Sequence, residues 1–93
     1  MKVTLETQPL EFLKRQAPDT RRRLREALRS VEAEALFPEA LQDSLDGFYK
    51  LRVDRFRFIL QHVSGEAGPF FRVVFCEQRK IVYEVFSQLL GLE

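Results

Sequence analysis

The hydrophobic period of this chain changes at Gly47, and that change does most to limit what it can fold into. Before it, Leu24, Leu28, Val31 and Ala35 recur at spacings of four, three and four, which is the apolar stripe of an amphipathic helix. After it, Tyr49-Lys50-Leu51-Arg52-Val53 and Phe56 to Val63 alternate, which is the period of half-buried strands. A chain that is helical first and stranded afterwards is α+β, with a compact antiparallel sheet after its helices.

Finer signals complete the order of elements. Lys2 to Glu6 alternates polar and apolar residues as a short edge strand. Gln8 to Ala17 reads as a first helix with Leu10, Leu13 and Ala17 on one face, started by Thr7 or Gln8 ahead of Pro9. Pro18-Asp19-Thr20 restarts the chain with Asp19 as expected N-cap, and the second helix runs from Thr20 to about Leu36, stopped by Pro38. Glu39 to Gly47 is expected to be an irregular acidic connection. Ser64 to Pro69 is a turn before a third strand, Phe70 to Cys76. Val82, Val85 or Phe86, and Leu89 fall at helical intervals, so a short helix closes the chain.

With 93 residues, 45% of them hydrophobic and nine of them Phe, the chain is read as one domain, residues 1 to 93. No apolar run approaches the roughly 18 residues of a membrane span. Met1 to Gln16 lacks the apolar core of a signal peptide. The single cysteine, Cys76, fits a reducing, cytoplasmic setting. With one His and one Cys, no metal set is expected and no cofactor is called for.

Charge is distributed unevenly. The net of +1 divides into −1 over residues 1 to 46, +4 over residues 47 to 80 and −2 over the rest. The cations Lys50, Arg52, Arg55, Arg57, Arg72, Arg79 and Lys80 all lie in the stranded segment, a polarity that bears on partners rather than on fold.

Register sharpens this pattern. Only Asp54 and Arg55 separate Val53 from Phe56, so a tight hairpin sets Arg52 opposite Arg57, with Lys50 on the same face. Like charges directly opposed destabilise a sheet by something under about 1 kcal/mol. If Arg79 leaves the third strand nearby, four cations converge as a cradle for a phosphodiester. The plainer alternative is a solvated outer sheet face. Arg21, Arg22, Arg23, Arg25 and Arg29 form a second basic cluster, read as the wet side of the second helix. His62 and Cys76 are read as structural.

Two segments carry a resemblance. Leu45-x-Gly47-x-Tyr49-Lys50-Leu51-Arg52-Val53 with Phe56-Arg57-Phe58-Ile59, and Gln78-Arg79-Lys80-Ile81-Val82-Tyr83, resemble the paired motifs of the RelE/ParE toxin superfamily, in its RelE-like branch. Asp54 stands where a glycine is usual and Gln78 where a histidine is common. The resemblance implies a RelE-like α+β fold: an N-terminal strand, two helices, a twisted antiparallel sheet and a short C-terminal helix. It implies the toxin of a type II toxin–antitoxin system, a metal-independent endoribonuclease cutting mRNA on the ribosome and held inactive in a hetero-oligomer by a small acidic antitoxin. The alternatives are a non-catalytic, gyrase-directed inhibitor of the ParE kind, or an interaction module on the same scaffold.

Carried across by motif position, Lys50, Arg57, Arg79 and Tyr83 would be catalytic. Arg52, Arg55, Arg72 and Lys80 would contact RNA. Cleavage through the 2′-hydroxyl needs a proton acceptor, a clamp on the charged phosphate and a donor for the departing 5′-oxygen. With no pair of histidines, the expectation is Tyr83 as base, its phenol made more acidic by adjacent cations, Arg57 and Lys50 on the phosphate, and Arg79 beside the leaving oxygen.

Overall fold

The computed structural model describes residues 1–91. It contains β1 (Lys2–Leu5), α1 (Thr7–Lys14), α2 (Pro18–Glu32), β2 (Glu39–Ala40), a 3-10 turn (Asp43–Leu45), β3 (Phe48–Val53), β4 (Phe56–Gly65), β5 (Gly68–Gln78) and α3 (Val82–Leu89). The fold class is α+β, with the expected N-terminal strand, helix pair and closing helix. β2 to β5 pair antiparallel in sequence order, and β1 adds to the outer side of β5 in parallel, giving a five-stranded mixed sheet ordered β1-β5-β4-β3-β2. The parallel pairing follows from the two helices between β1 and β3, which carry the chain across one face before the sheet begins.

Each face of the sheet has its own core. On one, α1 and α2 bring Leu13, Leu24, Leu28 and Val31 onto Leu51, Phe56, Phe58, Leu60, Val73 and Cys76. On the other, Val82 and Phe86 of α3 pack on Ile59 and Phe75, with Leu41, Leu45 and Phe48 beside them. A β-bulge makes this division possible. Ile59 pairs with Phe75 but Leu60 pairs with Val73, so Val74 is the extra residue, and Val74 and Phe75 both serve the α3 side while Val73 and Cys76 serve the other.

Five local expectations are corrected. In α1 the buried positions are Pro9 and Leu13, while Leu10 is 37% exposed and Ala17 lies beyond the helix end, exposed. The Pro9 and Leu13 turn faces the sheet because the Gln8 side chain anchors it there: Nε2 donates to the Cys76 carbonyl at 2.8 Å and Oε1 accepts the Cys76 N–H at 2.8 Å. α2 starts at Pro18 with Ala17 as N-cap, since proline is preorganised for the first helical position and has no N–H to lose. Asp19 sits in the first turn and pairs with Arg22 at 3.3 Å.

α2 also stops at Glu32, short of Leu36. Glu34 takes a left-handed φ of 58°, and the Ala35 and Glu34 N–H groups donate to the carbonyls of Ser30 and Val31 at 2.9 and 3.0 Å. These are the two bonds of a Schellman closure. Ala35 therefore leaves the stripe, and Phe37 is left 70% exposed. Finally, the acidic connection is partly regular: Glu39 and Ala40 pair with Lys50 and Tyr49 as β2.

Arg21 is not on the wet side of α2. It is half-buried, and Nε donates to Leu13 O at 3.1 Å while Nη2 donates to Gln16 O at 2.9 Å, closing the free carbonyl end of α1. Among the described residues, no helix is long and apolar enough to cross a membrane.

Candidate functional site: a charged row beside the last helix

The β3–β4 hairpin has the expected register. Arg52 pairs directly with Arg57, and Val53 with Phe56, across the two-residue loop Asp54-Arg55. Asp54 adopts φ 52°, a left-handed conformation that aspartate tolerates better than most residues because its short side chain can bond locally. Its carboxylate is held by Arg23 of α2 at 3.0 Å, which fastens the hairpin tip to the helix layer.

The next strand extends the row. Arg57 pairs with Glu77 of β5, so Arg52, Arg57 and Glu77 stand side by side on the face that carries α3. Lys50, Ile59 and Phe75 form the adjacent row on that face. Val82 and Phe86 bury Ile59 and Phe75, and Tyr83 packs half-buried against the same group. Val82, in the first turn of α3, thus covers the sheet one row away from Arg57, and Tyr83 packs against that covered group.

Arg57 differs from its neighbours. It is 4% exposed, and its Nη1 donates to Asp54 O at 3.0 Å and Phe56 O at 2.7 Å. The guanidinium caps the hairpin from beneath, leaving Nε and Nη2 as its donors for any ligand. Arg52 is exposed. Lys50 is drawn toward β2, where Glu39 Oε2 lies 3.8 Å from Nζ. Among the described residues, none of Arg52, Arg55, Arg57, Arg72, Arg79 and Lys80 is in an ion pair.

The end of the sheet holds the second group. The Arg79 N–H donates to Arg55 O at 2.7 Å, tying the chain leaving β5 to the hairpin tip. Arg55, Gln78, Arg79 and Lys80 line a shallow depression of about 190 Å³ there. Arg55 also leans on the Phe56 ring, 5.1 Å from its centroid. Arg72 is the outlier. It shares the α3 face but pairs with Gln61, four residues along β4 from Arg57 and hence roughly 14 Å away, and it lies 5.7 Å over the ring of Phe70.

The fold can now be compared with solved proteins. A YoeB/ParE toxin from Agrobacterium tumefaciens superposes on this chain with a TM-score of 0.65 at 17% identity, covering 85% of this chain and 99% of the other. The chain has the RelE/ParE toxin fold. No family model matches its sequence, and neither does any curated protein. At this identity the RelE/ParE likeness is one of backbone, so the chemistry of the site rests on its own residues. Those include one the motifs did not single out, Glu77, whose place in the row is visible only once the bulge in β5 fixes its parity.

Two remaining groups take no part. His62 is exposed and meets the Phe71 ring edge-on at 5.5 Å. The Cys76 thiol is buried, and burial, aided by the nearby Glu77 charge, pushes it far above its ordinary range. A buried thiol held protonated is inert.

Proposed function

We propose that this chain is the toxin of a type II toxin–antitoxin system and acts as a metal-independent mRNA endonuclease on the ribosome, in the cytoplasm. The observation that carries the reading is the opposed Arg52–Arg57 pair, which lies between the Arg55, Arg79 and Lys80 depression and the first turn of α3. Two like charges set opposite one another, Arg52 exposed and Arg57 buried beside it with neither in an ion pair among the described residues, are explained by a polyanion that binds across them.

In this reading Arg57 meets the scissile phosphate with its remaining donors, held rigid by the hairpin carbonyls that occupy Nη1. Lys50 joins it once a phosphate outcompetes Glu39, a weak and exposed partner. Tyr83 carries a proton at the edge of the row, and Arg79 stands toward the leaving side. Arg52, Arg55 and Lys80 hold the RNA backbone. Arg72 meets it farther along the same face. The antitoxin is a small acidic protein that covers this basic end of the sheet in a hetero-oligomer, since the same unpaired cations attract carboxylates as readily as phosphates.

Mapping mRNA 5′ ends after induced expression tests the reading. Codon-phased cuts in the wild type, absent in Arg57→Ala and Tyr83→Phe, support it. A second reading, a non-catalytic inhibitor of the ParE kind or an interaction module, is favoured by one observation: Arg57 is buried and part of its guanidinium serves the hairpin itself. Growth arrest that survives both substitutions, with mRNA intact, selects that alternative.

A further inference from the structure

The row Arg52–Arg57–Glu77 contains one carboxylate, and its circumstances are unusual. Directly paired residues on one face of an antiparallel sheet have Cβ atoms about 4.5–5.5 Å apart, so Glu77 is a close neighbour of Arg57. Yet the two form no ion pair, because Arg57 Nη1 turns toward Asp54 O and Phe56 O. Glu77 is half-buried, and its Oε1 accepts the N–H of Gln78 at 2.9 Å. That bond holds the carboxylate against its own strand and leaves Oε2 free. The result is a held, unpaired proton acceptor in a row with two arginines, one row from the Ile59–Phe75 pair that α3 covers.

We propose that Glu77 is the catalytic base, taking the proton of the RNA 2′-hydroxyl. This rests on the ribonuclease reading and deepens it. The Glu77 carboxylate accepts the 2′-hydroxyl proton. The freed 2′-oxygen forms a bond to the adjacent phosphorus while the bond from phosphorus to the 5′-oxygen breaks, with Arg57 and Arg52 facing the charge that builds on the phosphate. The 5′-oxygen leaves with the proton of the Tyr83 hydroxyl. Water then returns a proton to Tyr83 and removes one from Glu77. The products are a 2′,3′-cyclic phosphate and a 5′-hydroxyl, and both side chains end as they began. A carboxylate oxygen with no donor on it is placed to accept a proton, and a phenol O–H has one to donate, which divides the two roles between Glu77 and Tyr83.

The test compares wild type, Glu77→Gln and Glu77→Asp on ribosomes programmed with a defined mRNA, alongside binding of a short single-stranded RNA and thermal melting. Glutamine keeps an oxygen to accept the Gln78 N–H, so the fold should hold. Glu77→Gln is expected to cleave about 10²-fold slower or worse, and to bind RNA at least as tightly, since a negative charge has left a basic row. Glu77→Asp should recover part of the rate. Wild-type cleavage with an unaffected Glu77→Gln overturns this inference and leaves the ribonuclease reading standing. Cleavage, binding and melting lost together also overturn it, by showing a structural role. A wild type that leaves mRNA intact fells both.

Discussion

The two faces of the sheet are built from the same alternating strands and end up unlike one another. The face under α1 and α2 is closed: Leu13, Phe58, Leu60, Val73 and Cys76 are all at 0% exposure, and the polar groups nearby are satisfied by Gln8 and Arg21. The face under α3 is half-closed, because an eight-residue helix covers the Ile59–Phe75 row and leaves the adjacent Arg52–Arg57–Glu77 row outside that core. Stability is concentrated where two helices exclude water. Charge collects where one short helix leaves a margin.

That contrast can be broken by substitution, and the largest effect is expected on the closed face. Phe58→Ala should cost about 3–5 kcal/mol, because a fully buried ring leaves a cavity that a sheet layer between helices cannot refill. Urea unfolding measures it, and a loss under about 1 kcal/mol would mean that face is not the main core. Arg57→Ala comes next. It strips the donor from two hairpin carbonyls, at about 1–3 kcal/mol, and should lower mRNA cleavage by about 10² to 10³. Unfolding curves and single-turnover cleavage on the same preparations separate the two effects.

Smaller effects sharpen the boundary between the faces. Asp54→Gly removes a left-handed aspartate and the Arg23 pair together. Relief of strain offsets the loss of an exposed ion pair worth under about 1 kcal/mol, so the melting temperature should barely move. On the open side, Leu89→Ser should change stability by less than about 0.5 kcal/mol, because Leu89 is 68% exposed. Last, the Cys76 thiol, on the closed side, should resist a thiol reagent in the native protein and react fully once urea unfolds it.

The parts of the fold that were legible in the sequence are those governed by local geometry. Two residues between Val53 and Phe56 leave little freedom of register, and Arg52 does face Arg57. The helix stripe of Leu24, Leu28 and Val31 is buried as the spacing requires. The misses came where a distant partner decided the outcome. Leu10 and Pro9 have comparable claims to the inner face of α1 by pattern alone, and the bond between Gln8 and Cys76, 68 residues apart, turns Pro9 inward. Ala35 continues the stripe in spacing but lies past a Schellman closure.

The candidate site divides in the same way. Lys50, Arg52 and Arg57 were legible because a period of two with charged residues on one parity fixes their common face, whatever lies above it. Its carboxylate was not, since Glu77 reaches that face only through the bulge at Val74, and a bulge is set by how both cores fill rather than by any residue at that point. The amino-acid order by itself therefore settled the kinds of elements, the hairpin and the gathering of positive charge, all short-range consequences of backbone geometry. Only the tertiary structure decided which side chain stands beside which, because packing two unequal helix layers on one sheet fixes parity, burial and free donors across strands far apart in the chain.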